Sequence, residues 1–124
     1  MKISFQGELG SYSHQACCEA FPEAEPLPCS TFEGAMERVK VHEAKYAIIP
    51  VENSTYGRVA DSYHLLPKSG LFIIKEHFLR VNINLLALPG VAIEEIRSAM
   101  SHSVLLGQCR NFLLKHRIRA VSAV

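Results

Sequence analysis

Three times along this chain an apolar, strand-like run passes through a few small hydroxyl, amide or glycine residues into a helix-like run. The junctions are Gly10-Ser11-Tyr12-Ser13-His14, Pro50-Val51-Glu52-Asn53-Ser54-Thr55-Tyr56-Gly57 and Ser101-His102-Ser103. Repeated passage from strand to helix restricts the fold, because parallel strands need long crossovers and the crossover helices cover the sheet. It also restricts the function. A helix start exposes unpaired backbone N–H groups and a partial positive charge, which suits an anionic ligand. In open α/β sheets such starts lie beyond the carboxyl ends of the strands, where ligands bind. The expectation is one site for a small molecule carrying carboxylates or phosphates.

The remaining segments fit an α/β protein with a largely parallel sheet. Lys2 to Phe5 reads as a short strand, and Ser11 to Phe21 as a helix with Tyr12, Ala16 and Ala20 at i, i+4, i+8. Pro22, Pro26 and Pro28 force an extended connection. Ser30-Thr31-Phe32-Glu33 has the form of a capping box with Ser30 as N-cap. The helix it opens sets Phe32, Ala35, Met36 and Val39 on one face. Tyr46 to Ile49 is a continuous apolar run, as in a parallel strand covered on both sides. Arg58 to Leu66 reads as a helix ending before Pro67, with Gly57 serving a turn. Leu71 to Val81 and Asn82 to Leu88 are strand-rich, Ala92 to Ile96 is a short helix, and Ser98 to Met100 is a strand. A helix then runs to Lys115 with Leu105, Cys109, Phe112 and Leu113 on one face, and Ile118 to Val124 reads as a last strand.

Composition narrows the partners. The 124 residues are 48% apolar and 20% charged, with a formal net charge of +1, as in an ordinary globular protein. The one basic cluster, Lys115-His116-Arg117-Ile118-Arg119, ends a helix, where such residues complement the dipole. Nucleic acid and membrane surfaces are therefore not expected partners. No apolar run approaches the roughly 20 residues that span a bilayer, and no signal-peptide pattern follows Met1, so the expected location is cytoplasmic. Cys17, Cys18, Cys29 and Cys109 fit neither a zinc spacing nor a disulfide framework and read as reduced, mostly buried thiols. His42, His64, His77 and His116 form no metal spacing and read as surface or packing residues. No metal and no cofactor are expected.

The residues as a set resemble the prephenate dehydratases. Phe5-Gln6-Gly7-Glu8, Gly10-Ser11-Tyr12-Ser13-His14, Val51-Glu52-Asn53-Ser54 and Ser101-His102 followed by Gln108-Cys109-Arg110, Phe112 and Leu113 match that family's motif series in order and spacing. The resemblance implies two α/β lobes similar to the type II periplasmic binding proteins, with an active site in the cleft between them. It sets the first lobe at residues 1–77 and the second, incomplete, at 78–124. It implies that prephenate loses CO2 and water and becomes phenylpyruvate, on the route to phenylalanine, with the related arogenate as another substrate of the same chemistry. It also implies a threonine motif and a phenylalanine-binding ACT domain beyond Val124. Neither is in this sequence, so the expectation is a truncated dehydratase of low or no activity. Leu9 stands where relatives commonly have proline, which loosens the turn before the first helix.

Prephenate is a dianion, and the residues expected to hold it are Ser11, Tyr12, Ser13, Asn53, Ser54, Ser101 and His102. Ser11 to Ser13 equally suit helix capping. The two expected catalytic residues are Glu52 and His102. Glu52 can act as a proton donor if it is protonated, or as a carboxylate that fixes its loop by accepting backbone N–H bonds. His102 can donate a proton or a hydrogen bond, although a helix start is unfavourable for an imidazolium. His14 reads as either a ligand or a structural hydrogen-bonder. The competing reading is a non-catalytic binding module for a small anionic aromatic metabolite. A third role is self-association, with the exposed last strand pairing copies into a homo-oligomer.

Overall fold

A computed structural model describes residues 1–54 and 57–123 of the chain. They divide into two compact units, Met1–Arg80 and Val81–Val124.

The first unit is built on β1 (Lys2–Gln6), a central strand with parallel neighbours on both sides. The sheet order is β2 (Glu25–Cys29), β1, β3 (Tyr46–Ile48). Helix α1 (Tyr12–Ala20) crosses from β1 to β2, and α2 (Phe32–Lys40) from β2 to β3. Alternation along β1 sorts its side chains between the two faces. The Phe5 ring stacks on His14 of α1, with centroids 5.8 Å apart. Ser4, one residue earlier and fully buried, points to α2 and donates to the Ala35 carbonyl at 2.7 Å. The core is Ile3, Phe5, Ala16, Cys17, Ala35, Met36 and Ala44.

Several local expectations are corrected. Residues 25–29, expected only as an extended connection, form β2, with Pro26 opposite Ile3 and Pro28 opposite Phe5. Proline donates no backbone N–H, so this strand is suited to an edge. The N-cap of α2 is Thr31, not Ser30: its Oγ1 accepts from the Gly34 N–H at 2.9 Å. That moves Glu33 to the second helical position and leaves Gly34 at the third, where it has no side chain to complete a capping box. Helix α3 (Ala60–Ser69) continues through Pro67 and ends on Gly70 in the left-handed conformation. Pro67 lies in its last turn, where losing one amide donor breaks only a terminal bond. Of the four thiols only Cys17 is buried; Cys18 is exposed, and Cys29 and Cys109 lie between.

The largest difference concerns residues 71–88. Their composition predicts strands, yet no strand is assigned between α3 and Ser98 among the described residues. Strand propensity alone forms no ladder, which requires a partner at the right spacing.

In the second unit β6 (Ser98–Ser101) and β7 (Arg119–Ser122) pair in parallel, joined by α4 (Ser103–Gln108) and α5 (Arg110–Lys115). The single helix expected to run to Lys115 is interrupted at Cys109, two residues past Gly107, a weak helix former. The short helix expected at residues 92–96 is a 3-10 turn, Ile93–Glu95. Leu113 and Ile118 are the buried apolar residues of this unit. Val124 lies outside the described residues. No helix among the described residues is long and apolar enough to cross a membrane.

Candidate active site

The first junction leaves β1 through two glycines with positive φ, Gly7 at +127° and Gly10 at +94°, values that L side chains rarely adopt. A Cβ on Gly7 would also come within 3.1 Å of the Ser11 hydroxyl. This tight return places Ser11 at the N-cap of α1, where its Oγ accepts the His14 N–H at 3.2 Å. The Ser11 hydroxyl proton remains able to donate, so capping and ligand contact are compatible. His14 closes the loop from the other side: its Nδ1 accepts the Gly10 N–H at 2.8 Å. A neutral His14 then carries its proton on Nε2, which lies 3.5 Å from the Cys18 sulfur. His14 is thereby a structural hydrogen-bonder. Tyr12 is exposed and Ser13 is half-buried.

The second junction leaves β3, the parallel neighbour of β1, so both junctions lie at the carboxyl edge of one sheet. Glu52 and Asn53 form β4 (Glu52–Asn53), paired antiparallel with β5 (Gly57–Arg58). Gly57, expected in a turn, is thus a strand residue opposite Asn53. Ser54 is exposed at the hairpin tip, and Thr55 and Tyr56 lie outside the described residues. Glu52 accepts a hydrogen bond from the Tyr63 hydroxyl at 2.8 Å. That bond raises the Tyr63 pKa, with desolvation and the Glu52 charge adding to it and Arg58 opposing. The Arg58 guanidinium lies 5.1 Å from the centre of the Tyr63 ring. Beneath the hairpin, buried Ser62 donates to the Pro50 carbonyl at 2.6 Å. Helix α3 is therefore bonded both to the hairpin, at Glu52, and to the segment that leads into it, at Pro50.

The third junction belongs to the second unit. Ser101 ends β6 and His102 is the N-cap of α4, its Nδ1 accepting the Val104 N–H at 3.3 Å. With Nδ1 so occupied, the proton of a neutral His102 sits on Nε2, and the side chain is exposed. His102 is thus a hydrogen-bond donor toward solvent or a ligand.

An open cleft of 770 Å³ lies instead at the amino edge of the first sheet, beside Lys2, Lys40 and Lys45. Lys40 ends α2, where its charge complements the helix carbonyls. This cleft is away from both junctions of the first unit.

A family profile for prephenate dehydratase matches residues 3–124. The chain belongs to that family. It is 42% identical over 123 residues to an arogenate dehydratase/prephenate dehydratase of Arabidopsis thaliana, covering 99% of this chain and 31% of that protein. It is also 42% identical to a bifunctional N-acyl-homoserine lactone acylase/prephenate dehydratase of Komagataeibacter europaeus, over 90% of this chain and 40% of that one. The fold agrees with a crystal structure of prephenate dehydratase from Arthrobacter aurescens in complex with L-Phe. The TM-score is 0.81 at 28% identity, covering 99% of this chain and 42% of that one. The chain thus spans less than half the length of these dehydratases, and its α/β architecture is theirs.

Ser11, Tyr12 and Ser13 share a sheet edge with Glu52, Asn53 and Ser54, while Ser101 and His102 stand at the corresponding edge of the second unit. Sequence reasoning missed Tyr63 and Ser62, eleven and twelve positions from the groups they bind. No periodic pattern marks such pairs, because hairpin and helix meet only once folded.

Proposed function

We propose that this chain is the substrate-holding part of a prephenate dehydratase. The observation that carries the reading is the pair of hydroxyl- and amide-bearing loops at the carboxyl ends of adjacent parallel strands, in a chain of this family. Prephenate carries two carboxylates. Ser11, Tyr12, Ser13, Asn53, Ser54, Ser101 and His102 supply O–H, N–H and amide donors suited to them.

In the reaction the ring carboxylate leaves as CO2. The electron pair of its C–C bond becomes a ring π bond, and the ring hydroxyl departs as water after taking up a proton. Aromatisation drives the change, so the protein must hold the substrate, favour loss of CO2 and assist the departure of the hydroxyl. His102 is the residue we assign to that step: its Nε2–H hydrogen-bonds the departing hydroxyl, and the proton that completes the water comes from solvent. The Tyr63 bond to Glu52 supports the anchoring role for Glu52, a carboxylate that fixes the hairpin carrying Asn53 and Ser54. Arogenate presents the same ring and leaving groups and is the alternative substrate, as the names of the plant relatives indicate for those proteins.

Calorimetric titration with prephenate, together with phenylpyruvate formation followed by absorbance, tests this. Asn53→Ala and His102→Ala should each weaken prephenate binding by about tenfold or more, the size expected for one hydrogen bond to a charged group. Binding without any phenylpyruvate would favour a pure binding module. Absence of both binding and turnover would remove the reading altogether.

A further inference from the structure

The loop between β1 and α1 leads into Ser11, Tyr12 and Ser13, and packing does not fix its shape. At Gly10, where φ is +94°, an added Cβ would meet nothing within 4 Å among the described residues beyond its chain neighbours. Hydrogen bonds hold the turn instead. The Ser11 N–H donates to the Glu8 carbonyl at 3.2 Å, the Ser11 Oγ accepts the His14 N–H at 3.2 Å, and His14 Nδ1 accepts the Gly10 N–H at 2.8 Å. In a capping box the side chain three residues past the N-cap reaches back to a backbone amide. Here an imidazole does so in place of a Glu or Gln side chain, and takes the amide one residue earlier. It can accept in one form only: Nδ1 must be bare, so a neutral ring carries its proton on Nε2. Nε2 lies 3.5 Å from the Cys18 sulfur, which can accept that proton's hydrogen bond from one helical turn away. The buried Phe5 ring stacks on the imidazole at an interplanar angle of 20° and sets its plane. Orientation and tautomer are thus both fixed, by β1 and by α1.

We propose that His14 is a positioning residue of the substrate loop: through Nδ1 it latches the Gly10 amide, and so holds Ser11, Tyr12 and Ser13 in the arrangement that receives a substrate carboxylate. The inference rests on the reading of those three residues as carboxylate donors. In this role His14 touches no substrate and acts only through the loop. Without the latch, Gly10 populates both signs of φ and the direction in which the chain enters α1 is no longer set. The donors must then be ordered at the moment of binding, and that cost is taken from affinity. A histidine that merely packs behaves differently. Replacing it lowers stability according to helix propensity and lost contacts, wherever the new side chain places its acceptor.

Calorimetric titration of the 124-residue chain with prephenate, repeated on His14→Asn and His14→Gln, tests the latch. The asparagine Oδ1 stands close to the place of Nδ1 and can accept the Gly10 N–H. The glutamine amide reaches the place of Nε2 and leaves that N–H unmet. His14→Gln should bind prephenate about tenfold more weakly than the native chain, the size of one hydrogen bond, and His14→Asn should recover most of that loss. Thermal unfolding should rank the two variants the other way, because glutamine is the better helix former. Equal losses of affinity, or affinities that follow the unfolding midpoints, would overturn the proposal. A measurement without ligand separates the latch from the assigned substrate. Nitrogen NMR should show a scalar coupling across the hydrogen bond between the Gly10 nitrogen and Nδ1. Exchange of the Gly10 amide should quicken by about tenfold in His14→Gln and much less in His14→Asn. A native chain that shows the coupling and this exchange pattern but takes no prephenate would keep the latch and lose the substrate. Absence of the coupling would remove the latch, however well prephenate binds.

Discussion

Tyr63 holds its proton more tightly than an ordinary phenol because the hydroxyl donates to Glu52, and a phenolate beside a carboxylate would be repelled. The raised folded-state pKa favours the native hairpin below the ordinary tyrosine value of about 10. That contribution is lost as pH rises through the raised value, because the unfolded chain releases its proton first. Ultraviolet titration should show one tyrosine ionising above the ordinary value in the native protein. In Glu52→Gln that tyrosine should move back toward it; an unchanged profile would mean that the bond does not form in solution. At the same scale His14 and His102 both accept a backbone N–H on Nδ1, although only His102 begins its helix. The motif letters announced histidines near helix starts, but not which nitrogen each would leave available. That choice depends on where a single amide points.

Among the elements, α2 shows how closely related local signals compete. Ser30 and Thr31 can both cap, and the chain enters the helix at Thr31, whose extended backbone (φ −136°, ψ 160°) directs Oγ1 at the Gly34 amide. Thr31→Ala should therefore cost about 1 kcal/mol in urea denaturation, while Ser30→Ala should change little. Equal losses from the two substitutions would restore the capping-box reading. Helices α1 and α2 and strands β1, β3, β6 and β7 were all legible in the sequence, because periodicity, caps and breakers act within a few residues. Strand β2 was not legible. Its two prolines read as a connection, and it becomes a strand because β1 offers an edge at which missing amides are tolerated. Residues 71–88 failed in the opposite direction, with strand composition but no ladder among the described residues.

For the whole molecule, the two units carry cores of very different size. Among the described residues the first buries seven apolar residues, among them Ile3, Phe5 and Met36, and the second buries two, Leu113 and Ile118. Local opening free energy follows buried contacts, so the amides of β6 and β7 should exchange with deuterium faster than those of β1. Hydrogen exchange read by mass spectrometry checks this, and equal protection in both units would contradict it. The sequence by itself determined the α/β class, the family and the positions of the three hydroxyl-rich junctions. Each of these is written in short-range patterns, such as an apolar run, a glycine turn or a cap, that hold whatever the rest of the chain does. Only the tertiary structure decided that the first two junctions share one sheet edge and that Glu52 is held by Tyr63. Those outcomes depend on which strands lie side by side, and that is settled by packing between residues far apart in the chain.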